Sequence, residues 1–141
     1  VSSADRIAAV RRDYRHCFGC GVDNPLGLRL DGFVREGDAV RTTFTPRPEY
    51  RGFSDILHGG VVATALDETL AWTAILIEGV MVMTGTLNLR YRSPATADTT
   101  FGLEGRLLER RGRRLRMEGT MSAGDAIVAE AEGLFLVVGD V

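Results

Sequence analysis

One stretch gathers the residue types that acyl chemistry needs: Leu57-His58-Gly59-Gly60-Val61-Val62-Ala63-Thr64-Ala65-Leu66-Asp67-Glu68. Two glycines stand where a long apolar helix should begin, and a carboxylate follows about two turns later. The first N–H groups of a helix have no intrahelical partner and lie at the positive end of its dipole, so they can hold an anion or a developing oxyanion. Glycine lets a ligand approach that backbone closely. A carboxylate inside an apolar helix is costly unless it is exposed, paired or used. Oxyanion donor and carboxylate together point to acyl transfer.

Asp67 and Glu68 are the two candidate acids. Three and four positions from Asp67 lie Ala63, Thr64, Leu70 and Ala71, most of them small, whereas Glu68 neighbours Val61, Thr64, Trp72 and Ile75. A face of small side chains allows close helix approach or a substrate channel. Asp67 is therefore assigned as general base for water or as direct nucleophile, against the alternative of an interface carboxylate paired with an Arg or a backbone N–H. Glu68 reads as structural before catalytic, with substrate contact as its functional role. The N–H of Gly60 is expected to bind the acyl oxygen, with Gly59 beside it contacting substrate; loss of one such donor costs about 3 kcal/mol of barrier. The alternative for the pair is a plain tight turn into a helix. His58 either orients the carbonyl or acts as an N-cap bonded to the preceding loop. No serine stands on a strand-to-helix elbow, so no Ser-His-Asp arrangement can be built.

The elements that must position these residues are legible in the periodicity. The chain has 141 residues, 45% of them hydrophobic, which suits a single domain over 1–141 with a proper core. Ser3 to His16 reads as a short amphipathic helix, and Cys17 to Gly27 as a loop rich in Gly, Asn and Pro. Leu28, Leu30 and Phe33 suggest one strand and Val40, Thr42 and Phe44 a second, joined by a turn at Glu36-Gly37-Asp38. From Gly59 to about Ile77 the apolar residues lie all round a helical cylinder, with Gly79 as the stop. Period-two runs follow, with turns at Ser93–Asp98, Arg111–Gly112 and Ala123–Asp125. A helix apolar all round must be enclosed, so the expected architecture is α+β: a curved antiparallel sheet wrapped round one long central helix.

A net charge of −2 gives no reason to expect a nucleic-acid partner. No charge-free apolar run reaches the length of a membrane span, and the N-terminal residues lack an apolar signal region, although the chain starts at Val1. With only Cys17 and Cys20, a reduced, cytoplasmic protein is the simplest expectation.

The order of these elements, with the helix opening on His58-Gly59-Gly60 and carrying Asp67, resembles the hotdog-fold thioesterases, in particular the 4-hydroxybenzoyl-CoA and phenylacetate-pathway type. The resemblance runs over roughly residues 16 to 138. It includes Cys17-Phe18-Gly19-Cys20-Gly21, Asn24-Pro25-Leu26-Gly27-Leu28, and Thr84-Gly85-Thr86-Leu87-Asn88-Leu89-Arg90-Tyr91 followed by Pro94. It implies hydrolysis of an acyl-CoA thioester to free acid and coenzyme A, without metal or cofactor. It also implies a homodimer or dimer of dimers, with each site at the interface between the helix start of one subunit and the acid of the other. In such relatives a Ser or Thr at Thr84 can hydrogen-bond the water or the acid; the alternative here is an ordinary β-branched strand residue. Many relatives carry an Asn six residues before the His, where this chain has Gly52. Ser54 or Asp55 could substitute for it.

Two further groups have competing readings. Arg110, Arg111, Arg113 and Arg114 crowd a hairpin tip, and Arg90 and Arg92 end the preceding strand. Guanidinium groups match the phosphates of coenzyme A, but a solvated tip that protects a sheet edge also explains the cluster. Cys17 and Cys20 form a CxxC that is either a structural loop, a metal site shared across subunits, or a redox pair. Beside hydrolysis stand two rival functions, a non-catalytic acyl-CoA-binding or sensing protein on the same fold and a small metal or redox module built on Cys17 and Cys20.

Overall fold

The all-round apolar helix is enclosed as its composition requires. The computed structural model describes all 141 residues, Val1–Val141. Helix α1 (Ser3–Asp13) leads to strands β1 (Val34–Glu36) and β2 (Ala39–Phe44). Helix α2 (Gly59–Thr73) then runs into a π-helical turn, Ala74–Glu78. Strands β3 (Val80–Tyr91), β4 (Phe101–Arg111), β5 (Arg114–Ala123) and β6 (Ala126–Asp140) complete the chain. All strand pairs are antiparallel, in the order β1-β2-β4-β5-β6-β3, and the sheet curves round α2. This is the hotdog arrangement that the resemblance implied.

The contact between helix and sheet is close because small residues make room for it. A Cβ at Gly105 on β4 would overlap Thr73 Oγ1, and one at Gly119 on β5 would sit 3.1 Å from Leu70 Cδ2. Leu66, Leu70, Trp72 and Leu76 are fully buried, each stabilising the fold by about 1.5–3 kcal/mol. The two buried hydroxyls on this face, Thr69 and Thr73, donate to Ala65 O and Thr69 O one turn back, so neither is left unsatisfied. The helical run ends at Gly79, in the left-handed region at φ 68°, and the guanidinium groups of Arg6 and Arg35 donate to Leu76 O near its negative end. The 20 residues Gly59–Glu78 are long and apolar enough to cross a membrane by length and composition. More than half of that run is buried inside the fold, which accounts for its apolarity.

Two expectations about the N-terminal third are corrected. Leu28, Leu30 and Phe33 are buried but form no strand; the first strand is only Val34–Glu36. Their backbone is used elsewhere, since Leu28 N donates to Phe18 O and Leu30 N to Gly19 O, folding the CxxC segment back on itself. Phe33 stacks on Trp72 with ring centroids 5.1 Å apart. Helix α1 stops at Asp13, where Tyr14 leaves helical geometry, rather than at His16.

The long strand β3 pairs with β6 on one side and with nothing on the other. Met83, Thr84, Gly85 and Thr86 are exposed in succession, so this part of the strand is bare on both faces as well as along its edge.

Candidate active site

The start of α2 is capped by the side chain of its own N-cap residue. His58 Nδ1 accepts from Gly60 N at 2.9 Å, and His58 O accepts from Val61 N and Val62 N. The Nδ1 atom of the ring therefore faces the helix start. The preceding loop fixes the cap, because His58 N donates to Tyr50 O and Leu57 N to Ala95 O. This leaves Gly59 N–H as the helix-start donor with no acceptor within the chain. The expected donor, Gly60, is thus occupied, and the available one lies one residue earlier. The geometric reason is that a histidine at the N-cap reaches N2, as shorter capping side chains do.

Beside Gly59 lies a cavity of about 390 Å³ lined mainly by apolar groups, among them Ile56, Leu57, Val62, Pro94 and Val128. Tyr91 forms part of its wall and donates its hydroxyl to Gly59 O at 2.7 Å, holding the helix start against the end of β3. Tyr91 was not among the expected site residues. Its signal was the Tyr91/Pro94 pattern, a ring with a polar tip at the end of an alternating run.

Asp67 lies two turns along the same helix. Thr84 Oγ1 donates to Asp67 Oδ1 at 2.6 Å, which joins the helix acid to the bare stretch of β3. Asp67 has no Arg or His partner in this chain, so its second oxygen is unengaged. The bond orients the carboxylate. Thr84→Val is therefore expected to lower kcat about tenfold for any reaction that uses the Asp67 carboxylate, the equivalent of one modest hydrogen bond, with KM little changed. Steady-state kinetics beside a Thr84→Ser variant, which should retain activity, checks this.

Within one chain, Gly59 and Asp67 are eight residues apart, about 12 Å along the axis. No single acyl carbon can lie within reach of both. His58, Gly59 and Gly60 are also exposed, as is Phe53 in the neighbouring loop at 85%.

The other candidates are dispersed. Ser54 is exposed in the loop before the helix, with a left-handed backbone at φ 57°, and Asp55 reaches Arg51 at 3.8 Å. Gly52 itself lies against the cap, since its Cβ would be 3.1 Å from His58 Cα. Arg92 borders the apolar cavity and pairs with Glu130 at 2.6 Å. Arg90 instead lies in a polar groove with Glu118, Glu130 and Glu132, away from that cavity. In the hairpin-tip cluster, Arg110 approaches Glu78, Arg111 pairs with Glu109, and Arg113 donates to Val137 O. The tip stands at the opposite end of the sheet from Tyr91: Arg114 is opposite Leu136 and Leu136 opposite Met83, whereas Tyr91 is opposite Ala129.

Glu68 is not on the cavity either. One residue on from Asp67 turns the side chain by about 100° round the helix. The residue keeps some solvent exposure, but its carboxyl end is packed against Gly19 and lies 3.5 Å from Cys17 Sγ. Burial, followed by the charge on Cys17, lifts Glu68 to about 8. Cys17 is lowered to about 5, chiefly by the thiol of Cys20, while Cys20 is raised by its hydrogen bond to Cys17 and by burial. The physical content is that this cluster holds fewer negative charges than it has acidic groups.

Comparisons with known proteins agree with this fold. The sequence profile described as "Thioesterase superfamily" matches residues 55–130, from the loop before α2 into β6. The cattle (Bos taurus) protein acyl-coenzyme A thioesterase THEM4 is 29% identical over 123 residues, covering 84% of this chain and 50% of that protein. A solved thioesterase superfamily protein is 31% identical, with a TM-score of 0.77, and the match covers 86% of this chain and 63% of that one. The Streptococcus mutans protein smu.793, solved bound to acetyl CoA, has the same fold at 20% identity and a TM-score of 0.71, over 79% of this chain and 90% of that one. The chain therefore spans about half the length of the curated relative it matches.

Proposed function

The chain belongs to the thioesterase superfamily, and from that premise we propose that it hydrolyses acyl-CoA thioesters at a site completed by a second copy of itself. The observation that carries the proposal is the pairing of an unengaged helix-start N–H, at Gly59 beside an apolar cavity, with an oriented carboxylate, Asp67, about 12 Å away on a bare face. Two such helices side by side in opposite directions would bring one chain's Gly59 level with the other's Asp67. The open edge of β3 and the exposed Met83 beside it supply the surface for that pairing, since a long unpaired strand is a template for another strand. Closing the interface would also exclude water from the exposed helix start, which strengthens a backbone donor.

In this reading the acyl group enters the cavity at Tyr91, and its oxygen accepts from Gly59 N–H. Asp67 of the second copy takes a proton from water, the hydroxide adds to the carbonyl carbon, and the collapsing intermediate expels coenzyme A as its thiolate. Attack by Asp67 itself, through a mixed anhydride, uses the same geometry. Arg92, which lines the cavity and pairs with Glu130, is the arginine assigned to meet a phosphate in this reading. The curated relative is named an acyl-coenzyme A thioesterase, and the smu.793 structure shows a protein of this fold holding acetyl CoA.

Gly52 favours one second reading. Without a polar side chain beside His58, the site has fewer groups to hold water, and the protein would bind acyl-CoA without cleaving it. A panel of aromatic and medium-chain acyl-CoAs with a thiol reagent separates the two. Saturable thiol release on at least one ester is expected; tight binding of an ester with no release across the panel would establish the binding reading instead.

A further inference from the structure

The CxxC segment does not line the cavity beside Gly59, yet it is built to a definite geometry. We propose that Cys17, Cys20 and Glu68 form a binding site for a thiophilic divalent cation of the zinc class, with a fourth position open to solvent. The three donor groups come from two separate elements, the loop after α1 and the middle of α2, and their ligand atoms all lie within 4.8 Å of one another. Cys17 Sγ is 3.5 and 3.7 Å from the two oxygens of Glu68. A tetrahedral ion with bonds of about 2.3 Å to sulfur and 2.1 Å to oxygen requires a sulfur–oxygen edge of about 3.6 Å. The Cys17–Glu68 pair therefore already has the spacing that such an ion imposes.

The surroundings are those of a ligand site rather than of a chance encounter. Gly21 N donates to Cys17 O at 2.8 Å, and the N–H groups of Leu28 and Leu30 hold Phe18 and Gly19, so both sulfurs are carried on a pinned backbone. A side chain at Gly19 would overlap the Glu68 carboxyl, so the glycine admits the acid to the loop. Trp72, a neighbour of Cys20, is 1% exposed and its indole N–H has no hydrogen-bond acceptor. A buried N–H without a partner beside the donor set is available as an outer-shell contact to a bound group. Arg11, paired with Asp31, donates to Cys20 O and stacks 5.2 Å from the Trp72 ring, which holds the Cys20 backbone against the helix. Glu68 has the two thiols as its polar neighbours and no cation paired with it, an arrangement that leaves the carboxyl to be satisfied by a proton or a metal.

The test is a titration of the reduced, chelator-treated chain with cobalt(II), followed by displacement with zinc. One cobalt per chain is expected, with thiolate-to-cobalt charge transfer and tetrahedral ligand-field absorption, both removed by zinc. Cys17→Ser and Cys20→Ser should each lose charge-transfer intensity. Glu68→Gln should weaken affinity about 100-fold, and Trp72→Phe about 10-fold with the charge-transfer band retained. Should a variant fail to fold, zinc protection of both thiols from alkylation in the unaltered protein gives the same information. Absence of saturable uptake overturns the proposal, as does uptake unchanged in a Cys17→Ser/Cys20→Ser double variant. Formation of a Cys17–Cys20 disulfide in a glutathione buffer, with no metal taken up by the reduced form, overturns it in favour of a redox pair.

Discussion

Asp67→Asn is expected to slow thiol release from every good acyl-CoA substrate by about 1,000-fold, within the range that a positioned general base contributes. The substitution is suited to the question because it changes little else. Asparagine has the same shape, and its Oδ1 can still accept the Thr84 hydroxyl that now reaches Asp67 at 2.6 Å. Packing of α2 and melting temperature should stay near those of the parent, and KM should move far less than kcat. What disappears is the lone pair basic enough to take a proton from water, or nucleophilic enough to attack the thioester. Both routes fail together, so the result tests the residue rather than the choice between them. Activity surviving within a few-fold would remove Asp67 from the reaction.

Gly59→Pro is expected to lower kcat by 10²- to 10³-fold, whereas Gly59→Ala stays within a few-fold of the parent. Proline at the first helical position deletes a single N–H, one that no group in the chain accepts. The preceding residue already suits it, since His58 has φ −57° and ψ 133°, in the extended region that proline demands of its neighbour. Alanine keeps the N–H, and its Cβ would meet Tyr91 Oη at 3.5 Å, an ordinary contact. A neutral Gly59→Pro would return the oxyanion to Gly60, whose N–H would then have to be released by rotation of His58. Mixing the two inactive variants adds a test of the shared site. In a two-fold dimer, random exchange puts half the protein into mixed pairs, each with one intact site, so about a quarter of parent activity should reappear. Sites contained within single chains would recover none.

Much of this protein follows from its residue pattern alone. A segment apolar on every side from Val61 onward cannot face water, and the alternating runs after Gly79 can only half-bury themselves, so a sheet closed round a helix is the economical solution for one short chain. The stop at Gly79 and the turns at Gly112 and Gly124 are local matters, set by backbone conformations that those residues adopt freely. That Asp67 and Glu68 meet different surroundings was legible for a similar reason, because helical rotation alone sends neighbouring side chains to different faces.

What the pattern could not express is which atoms already have partners. Whether Gly59 or Gly60 keeps a spare N–H depends on where the His58 ring turns, a matter of 2.9 Å settled by the loop that Tyr50 and Ala95 hold in place. That Leu28 and Leu30 form no strand depends on their N–H groups being taken by Phe18 and Gly19. The meeting of Cys17 and Cys20 with Glu68, 51 residues beyond the first of them, exists only once the loop has packed on the helix. Periodicity records which side of an element avoids water; hydrogen-bond partners and convergent ligands belong to distances between elements, and those come into being with the tertiary fold.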